Sequence, residues 1–248
     1  MENTIAIRRQ TFTAADIALF AVWLLACATL GRTNEFMGCV LAGGAIMIAR
    51  EAYGRLALGE ANQGLIAIAA ATPIFLVVSG LSLSSVVHAT PVTFDAQLAR
   101  LDLGIAPAVR SWCQARTWAI CPLEAAYGAL PLAVMIGATL AAKSDRKRML
   151  LAAAIGGVLV VPWYLILPAV GPAHVGQPYA PRNCMPSMHV TWAAVTWTNS
   201  RGATRLFAGA FVAITVLATL ATGEHYTPDL VAALPWTWTL NQLAGKAK

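Results

Sequence analysis

Eight apolar runs follow one another along this chain, and most of its charges fall between them: Ala14–Leu30, Phe36–Ala49, Gln63–Val87, Leu123–Ala142, Met149–Pro168, Met188–Asn199, Leu206–Ala221 and Leu230–Leu243. A bilayer core about 30 Å thick takes about 20 apolar residues as a helix. Only 11% of the 248 residues are charged, against about 25% in soluble domains. The fold expected is all-α, a polytopic membrane helix bundle of about eight spans. Residues 1–60 form a two-span N-terminal segment and 61–248 a six-span core. Arg8 and Arg9 precede the first run. That run is longer than the apolar part of a cleavable signal and is read as a retained span.

The net charge of +6 does not indicate nucleic acid, because the basic residues sit in short loops and not on one polar face. With the N-terminus in the cytoplasm, the inner loops receive Arg8, Arg9, Arg50, Arg55, Lys143, Arg146, Lys147, Arg148, Arg201, Arg205, Lys246 and Lys248. That is twelve of the seventeen basic residues. Arg32, Arg100, Arg110, Arg116 and Arg182 fall outside. Basic loops stay in the cytoplasm, so the expected topology is N-in and C-in, in an inner (plasma) membrane.

The segment at about 89–122 is too apolar for a solvated loop. Phe94, Leu98, Leu101 and Ile105 recur at helical spacing with Asp95, Arg100 and Asp102 between them. That pattern suits an amphipathic helix in the outer interface, either a cover over a site or a packing element. Cys27 and Cys39 lie in spans as small hydrophobes. Cys113, Cys121 and Cys184 fall outside, where one disulfide among the three is expected, its pairing open. No C-x-x-C or H-E-x-x-H pattern occurs, so neither a metal nor a cofactor is expected.

Two polar blocks interrupt the apolar pattern late in the chain. One is Pro181-Arg182-Asn183-Cys184-Met185-Pro186-Ser187-Met188-His189; the other is Gly223-Glu224-His225-Tyr226-Thr227-Pro228-Asp229. His189 opens the sixth run and His225 follows the seventh. A hairpin turning at Ser200–Arg205 returns both histidines to one membrane face, the periplasmic or exterior one. Residue types there suit phosphoryl transfer, which rests on positioning and electrostatics. Arg182 offers a donor fork, Asn183 and Ser187 add neutral donors, and the helix opening near Ser187 adds backbone N–H groups. One imidazole attacks phosphorus and the other protonates the leaving oxygen. If Thr227-Pro228-Asp229 opens the last helix, Asp229 reaches back to a ring nitrogen of His225. His88 reads as an interfacial residue and Glu224 as a solvated loop charge. His174 is either a loop residue or a substrate contact. Tyr226, Trp192, Trp197, Trp236 and Trp238 read as packing and interfacial anchors.

Pro186-Ser187-Met188-His189 and His225-Tyr226-Thr227-Pro228-Asp229 resemble the second and third motifs of the type 2 phosphatidic acid phosphatase superfamily. The form P-S-x-H with H-Y-x-x-D is most similar to the branch of the inositol phosphorylceramide synthases, with sphingomyelin synthases nearby. Thr93-Phe94-Asp95 to Leu101-Asp102 also resembles bacterial members of that branch. The resemblance covers roughly Gln63 to Leu243. It implies a metal-independent lipid-phosphate phosphatase or phosphotransferase with His225 as the nucleophile that becomes a phosphohistidine. Asp229 would orient His225, His189 would protonate the leaving group, and Ser187 would help hold the phosphate. The partner implied is a membrane lipid phosphate. The classical first motif K-x6-R-P is absent: Val170–Ala180 holds no lysine or arginine, and Thr219 stands where the third motif has an arginine. A clamp this poor in cations leans toward a phosphodiester donor or a lipid acceptor. The alternative is a non-catalytic lipid-binding or transport protein on the same scaffold.

Overall fold

In a bilayer every backbone N–H and C=O must be satisfied within the protein, which apolar runs of this length achieve as helices. The computed structural model, which describes residues 12–30, 35–58, 64–90, 92–177 and 179–246, is helical with no strand among those residues. The chain is a multi-pass α-helical membrane bundle. Arg8, Arg9, Arg32, Gln63 and Lys248 lie outside the described residues.

Among the described residues, four helical stretches are long and apolar enough to cross a membrane: Phe36–Leu58, Leu65–Ala89, Lys143–Ile166 and Gly202–Thr222. A fifth arises if α6 (Thr117–Gly128) and α7 (Leu130–Leu140), bent by 56°, count as one span. The first, sixth and eighth expected spans are not among these. Helix α1 (Ala14–Leu30) is a shorter apolar helix. Helix α10 (Met188–Thr198) has 11 residues, roughly 16 Å of rise, about half the apolar thickness.

Contacts divide the chain into two units, Met1–Leu76 and Val77–Lys248, with the division inside α3 (Leu65–Ala89). In the first unit, α1 is followed by α2 (Glu35–Tyr53), which runs on into a π-helical turn, Gly54–Leu58. Arg55 is not the loop charge expected. It is buried, donating from Nε to Glu51 Oε1 at 2.7 Å and from Nη1 to Asp16 Oδ2 at 2.7 Å. A cation held between two carboxylates joins α1 to the end of α2; breaking a buried pair of this kind costs about 3–5 kcal/mol.

In the second unit, α4 (Asp95–Leu101) and α5 (Ile105–Gln114) replace the single outer helix expected. Leu103 (φ 54°) and Gly104 (φ 80°) break it. Two of its charges turn inward. Asp95, Leu98, Asp102, Ala106 and Cys113 are buried, while Phe94, Leu101, Leu103, Ile105 and Trp112 are exposed. In a membrane the apolar face belongs outward, and the carboxylates turn inward because backbone donors await them. Asp95 Oδ1 accepts the Gly171 N–H at 3.0 Å, and Asp102 Oδ1 accepts the Thr227 N–H at 2.7 Å.

Helix α8 (Lys143–Leu159) continues as α9 (Val161–Ile166). Arg146 is buried, donating to the carbonyls of Ala138 (2.7 Å) and Ala141 (3.0 Å), which satisfies acceptors orphaned at the end of α7. Helices α10, α11 (Gly202–Thr222) and α12 (Thr227–Lys246) close the chain. Buried Asn199 donates to Asn241 Oδ1 at 2.7 Å, and the Ser187 N–H donates to the Asp229 carbonyl at 3.2 Å. These bonds fix α10 against α12 at both ends, and polar pairs set register because slippage leaves them unpaired.

Candidate active site

The two polar blocks meet at one end of the second unit. Ser187 is the N-cap of α10; its Oγ accepts the Val190 N–H at 3.4 Å and its carbonyl accepts the Thr191 N–H at 3.0 Å. A cap of this type is worth about 1 kcal/mol, and a hydroxyl that accepts one bond keeps its own O–H to donate. His189 therefore enters the first turn of α10. Its ring stacks on Tyr127 of α6, centroids 4.0 Å apart and planes at 18°.

His225 arrives from the other side. Helix α11 ends at Gly223, which takes a left-handed conformation (φ 80°) that favours glycine. The chain then turns, and α12 opens at Thr227-Pro228-Asp229, as the sequence led us to expect. Asp229 Oδ2 accepts the Tyr226 N–H at 2.7 Å, a carboxylate set where helix N–H groups and dipole favour it. His189 and His225 end with ring centroids 6.2 Å apart and planes at 62°.

Asp229 lies behind His225, but a third group stands beside the pair. His225 Nδ1 is 3.6 Å from Asp229 Oδ2, longer than a hydrogen bond. The Cys184 thiol donates to that same Oδ2 at 2.6 Å and lies 3.5 Å from His225 Nδ1. Cys184, His225 and Asp229 are all buried. Burial first, and then the Asp229 carboxylate, push the Cys184 thiol well above its usual range. Tyr226 is raised likewise, by burial and then by Asp95.

The other expected site residues take varied places. Arg182 is buried, donating from Nη1 to the Ala180 carbonyl at 2.8 Å and from Nε to the Thr90 carbonyl at 3.3 Å. Asn183 is partly exposed in the same loop. Glu224 is not simply solvated: its Oε1 meets His174 Nε2 at 3.0 Å, with both side chains about a third exposed or less. The expected disulfide does not form. Cys113, Cys121 and Cys184 are free; Cys113 and Cys184 are buried and Cys121 is exposed.

Several neighbours escaped the sequence reading. Tyr127 sits in an apolar run with nothing to mark it. Asp95 and Asp102 were visible, and their recurrence at seven residues places them on one helix face, but that face turned inward. Arg110 packs over the turn before His225: a side chain at Gly223 would lie 2.8 Å from its Cδ and 2.9 Å from its Nε. That Nε is buried with no hydrogen-bond partner among the described residues.

Residues 173–240 match the family model of the PAP2 superfamily. The match runs from the loop ahead of the first polar block into α12 and includes both histidines and Asp229. No curated protein and no solved structure matches the chain.

Proposed function

We propose that this protein is an integral-membrane lipid-phosphate phosphatase or phosphotransferase working through a phosphohistidine on His225. The observation that carries the reading is the pair of imidazoles 6.2 Å apart with Asp229 behind one of them. That separation spans about two reacting contacts of 3 Å laid end to end, one to phosphorus and one to the leaving oxygen. Nδ1 of His225 faces Asp229 and Cys184, which leaves Nε2 as the nucleophile. Nε2 bonds to phosphorus as the P–O bond to the leaving group breaks, and His189 gives that oxygen its proton. Water, or a hydroxyl of a second lipid or polyol, then attacks the phosphohistidine and returns a proton to His189. Asp229 stabilises the imidazolium character of His225.

Ser187 and Asn183 contribute donors to the phosphate. Arg182 holds the loop through two carbonyls and adds its charge to the potential over the site. Arg110, packed on the turn before His225, supplies a second cation. This sparse clamp, with P-S-x-H and H-Y-x-x-D, favours the phosphotransferase chemistry of the inositol phosphorylceramide synthase-like branch. An apolar groove of about 430 Å³ between α7, α10 and α11, lined by Ala133, Gly137, Ala193, Thr196, Ala203 and Phe207, runs from the middle of α10 to the α10–α11 turn at its far end. Ala193 lies one helical turn from His189, roughly 6 Å along α10. We place both termini in the cytoplasm and the histidines on the extracytoplasmic side, a reading that the positive-inside distribution supports.

The test is phosphate release from a panel of lipid mono- and diphosphates by wild type and His225→Ala, followed by analysis for head-group transfer. Release or transfer by wild type alone, with an acid-labile phosphoprotein absent from the variant, is the expected result. A specific observation favours the second reading, a non-catalytic lipid-binding protein: Asp229 Oδ2 is taken by Cys184 and Tyr226 and not by His225. Blank results in both assays would select it.

A further inference from the structure

Three ligand atoms of different chemistry converge behind the proposed nucleophile. Cys184 Sγ, His225 Nδ1 and an Asp229 carboxylate oxygen all lie within 4.8 Å of one another. Individually, S to N is 3.5 Å, N to O is 3.6 Å and S to O is 2.6 Å. A tetrahedral zinc ion with bonds of about 2.0–2.3 Å sets its ligand atoms about 3.3–3.6 Å apart. Two of the three separations fit already, and the third needs the thiol and carboxylate to part by about 1 Å. The other oxygen, Asp229 Oδ1, is buried with no hydrogen-bond partner among the described residues. Buried carboxylate oxygens are nearly always paired, so this one marks a place for a positive group.

We propose that Cys184, His225 and Asp229 form a binding site for a thiophilic divalent cation of the Zn2+ class, and that occupancy switches the active site off. Thiolate, imidazole and carboxylate are the ligand set zinc prefers over magnesium or calcium. On binding, the S–H bond breaks, an S–Zn bond forms, and the thiol proton leaves to water. The proton that Nδ1 holds moves by way of water to Nε2, and Nδ1 gives its freed lone pair to the metal. His225 then faces a dication where it needs a carboxylate, and Nε2 loses its nucleophilic character. The silencing rests on the function proposed above; the binding does not.

The full-length protein in detergent or nanodiscs is loaded with Zn2+ alone and, separately, with Co2+ alone. The expected result is one tightly held equivalent of Zn2+, and a sulfur-to-cobalt charge-transfer band in the near ultraviolet. Cys184→Ala and Cys184→Ser should both lose the band and bind zinc at least tenfold more weakly. The serine variant keeps a hydrogen-bond donor for Asp229, should the alanine variant fail to fold. Cys113→Ala and Cys121→Ala should keep both signals. In the phosphate-release assay, zinc should silence wild type and leave each Cys184 variant at its own rate. No bound zinc, or a band and affinity unchanged in the Cys184 variants, overturns the site. Zinc held through Cys184 by a protein with no turnover keeps the site and removes the enzyme; turnover through His225 without zinc binding does the reverse.

Discussion

A carboxylate, an imidazole and a thiol within 3.6 Å of one another make Asp229 the most consequential residue of the site. Asp229→Asn should lower turnover by about 10³–10⁴-fold with helical content unchanged by circular dichroism; near-normal turnover would remove Asp229 from the chemistry. Arg110→Ala should raise KM about tenfold or more, the loss of a charged hydrogen bond, with a smaller effect on kcat. Equal KM for variant and wild type would show that Arg110 serves only to pack on Gly223. The cysteines give a simple check. The unreduced protein, unfolded in denaturant, should titrate five free thiols. In the native state exposed Cys121 should react with a thiol reagent long before Cys184, whose thiol is buried and held protonated. Three free thiols on denaturation would restore a disulfide.

The helical elements were largely legible, because apolar runs mark buried or lipid-facing helices whatever their packing. The first run coincides with α1, and the sixth and seventh differ from α10 and α11 by a few residues at most. What the sequence hid was direction. An amphipathic helix reads the same whether its charges face water or the protein, and α4–α5 turned them inward to cap Gly171 and Thr227. The candidate site was legible as two blocks, since a turn between α10 and α11 must bring their far ends together. The Cys184 contact was not, because a loop residue 45 positions from its partner leaves no periodic trace. At this scale Gly171 is the sharpest test. It has φ 84°, and a Cβ there would run into the Glu224 carbonyl. Gly171→Ala should push the loop off the Gly223–His225 turn, lowering turnover and the thermal midpoint together. An unchanged midpoint would mean the loop adapts freely.

At the scale of the molecule, His189 and His225 occupy one end of the second unit, and the Arg201–Asp145 pair, Nε to Oδ2 2.7 Å, lies by the turn at the opposite end of α10. A cysteine introduced at Gly176, with native outer cysteines removed, should react with an impermeant reagent on intact cells; reaction only after lysis would reverse the topology. In the first unit, Arg55→Ala should destabilise by about 3–5 kcal/mol, because Glu51, fully buried, loses its partner. A thermal midpoint matching wild type would show that water reaches the pair. The bond from Ser187 to the Asp229 carbonyl has a temporal meaning as well. His189 and its cap leave the ribosome well before His225, and α12 follows both. Until that helix enters the bilayer, Ser187 lacks its acceptor and His225 its carboxylate. A nascent chain without α12 would thus carry both histidines and no working site, so the onset of phosphate release during synthesis would time the insertion of α12.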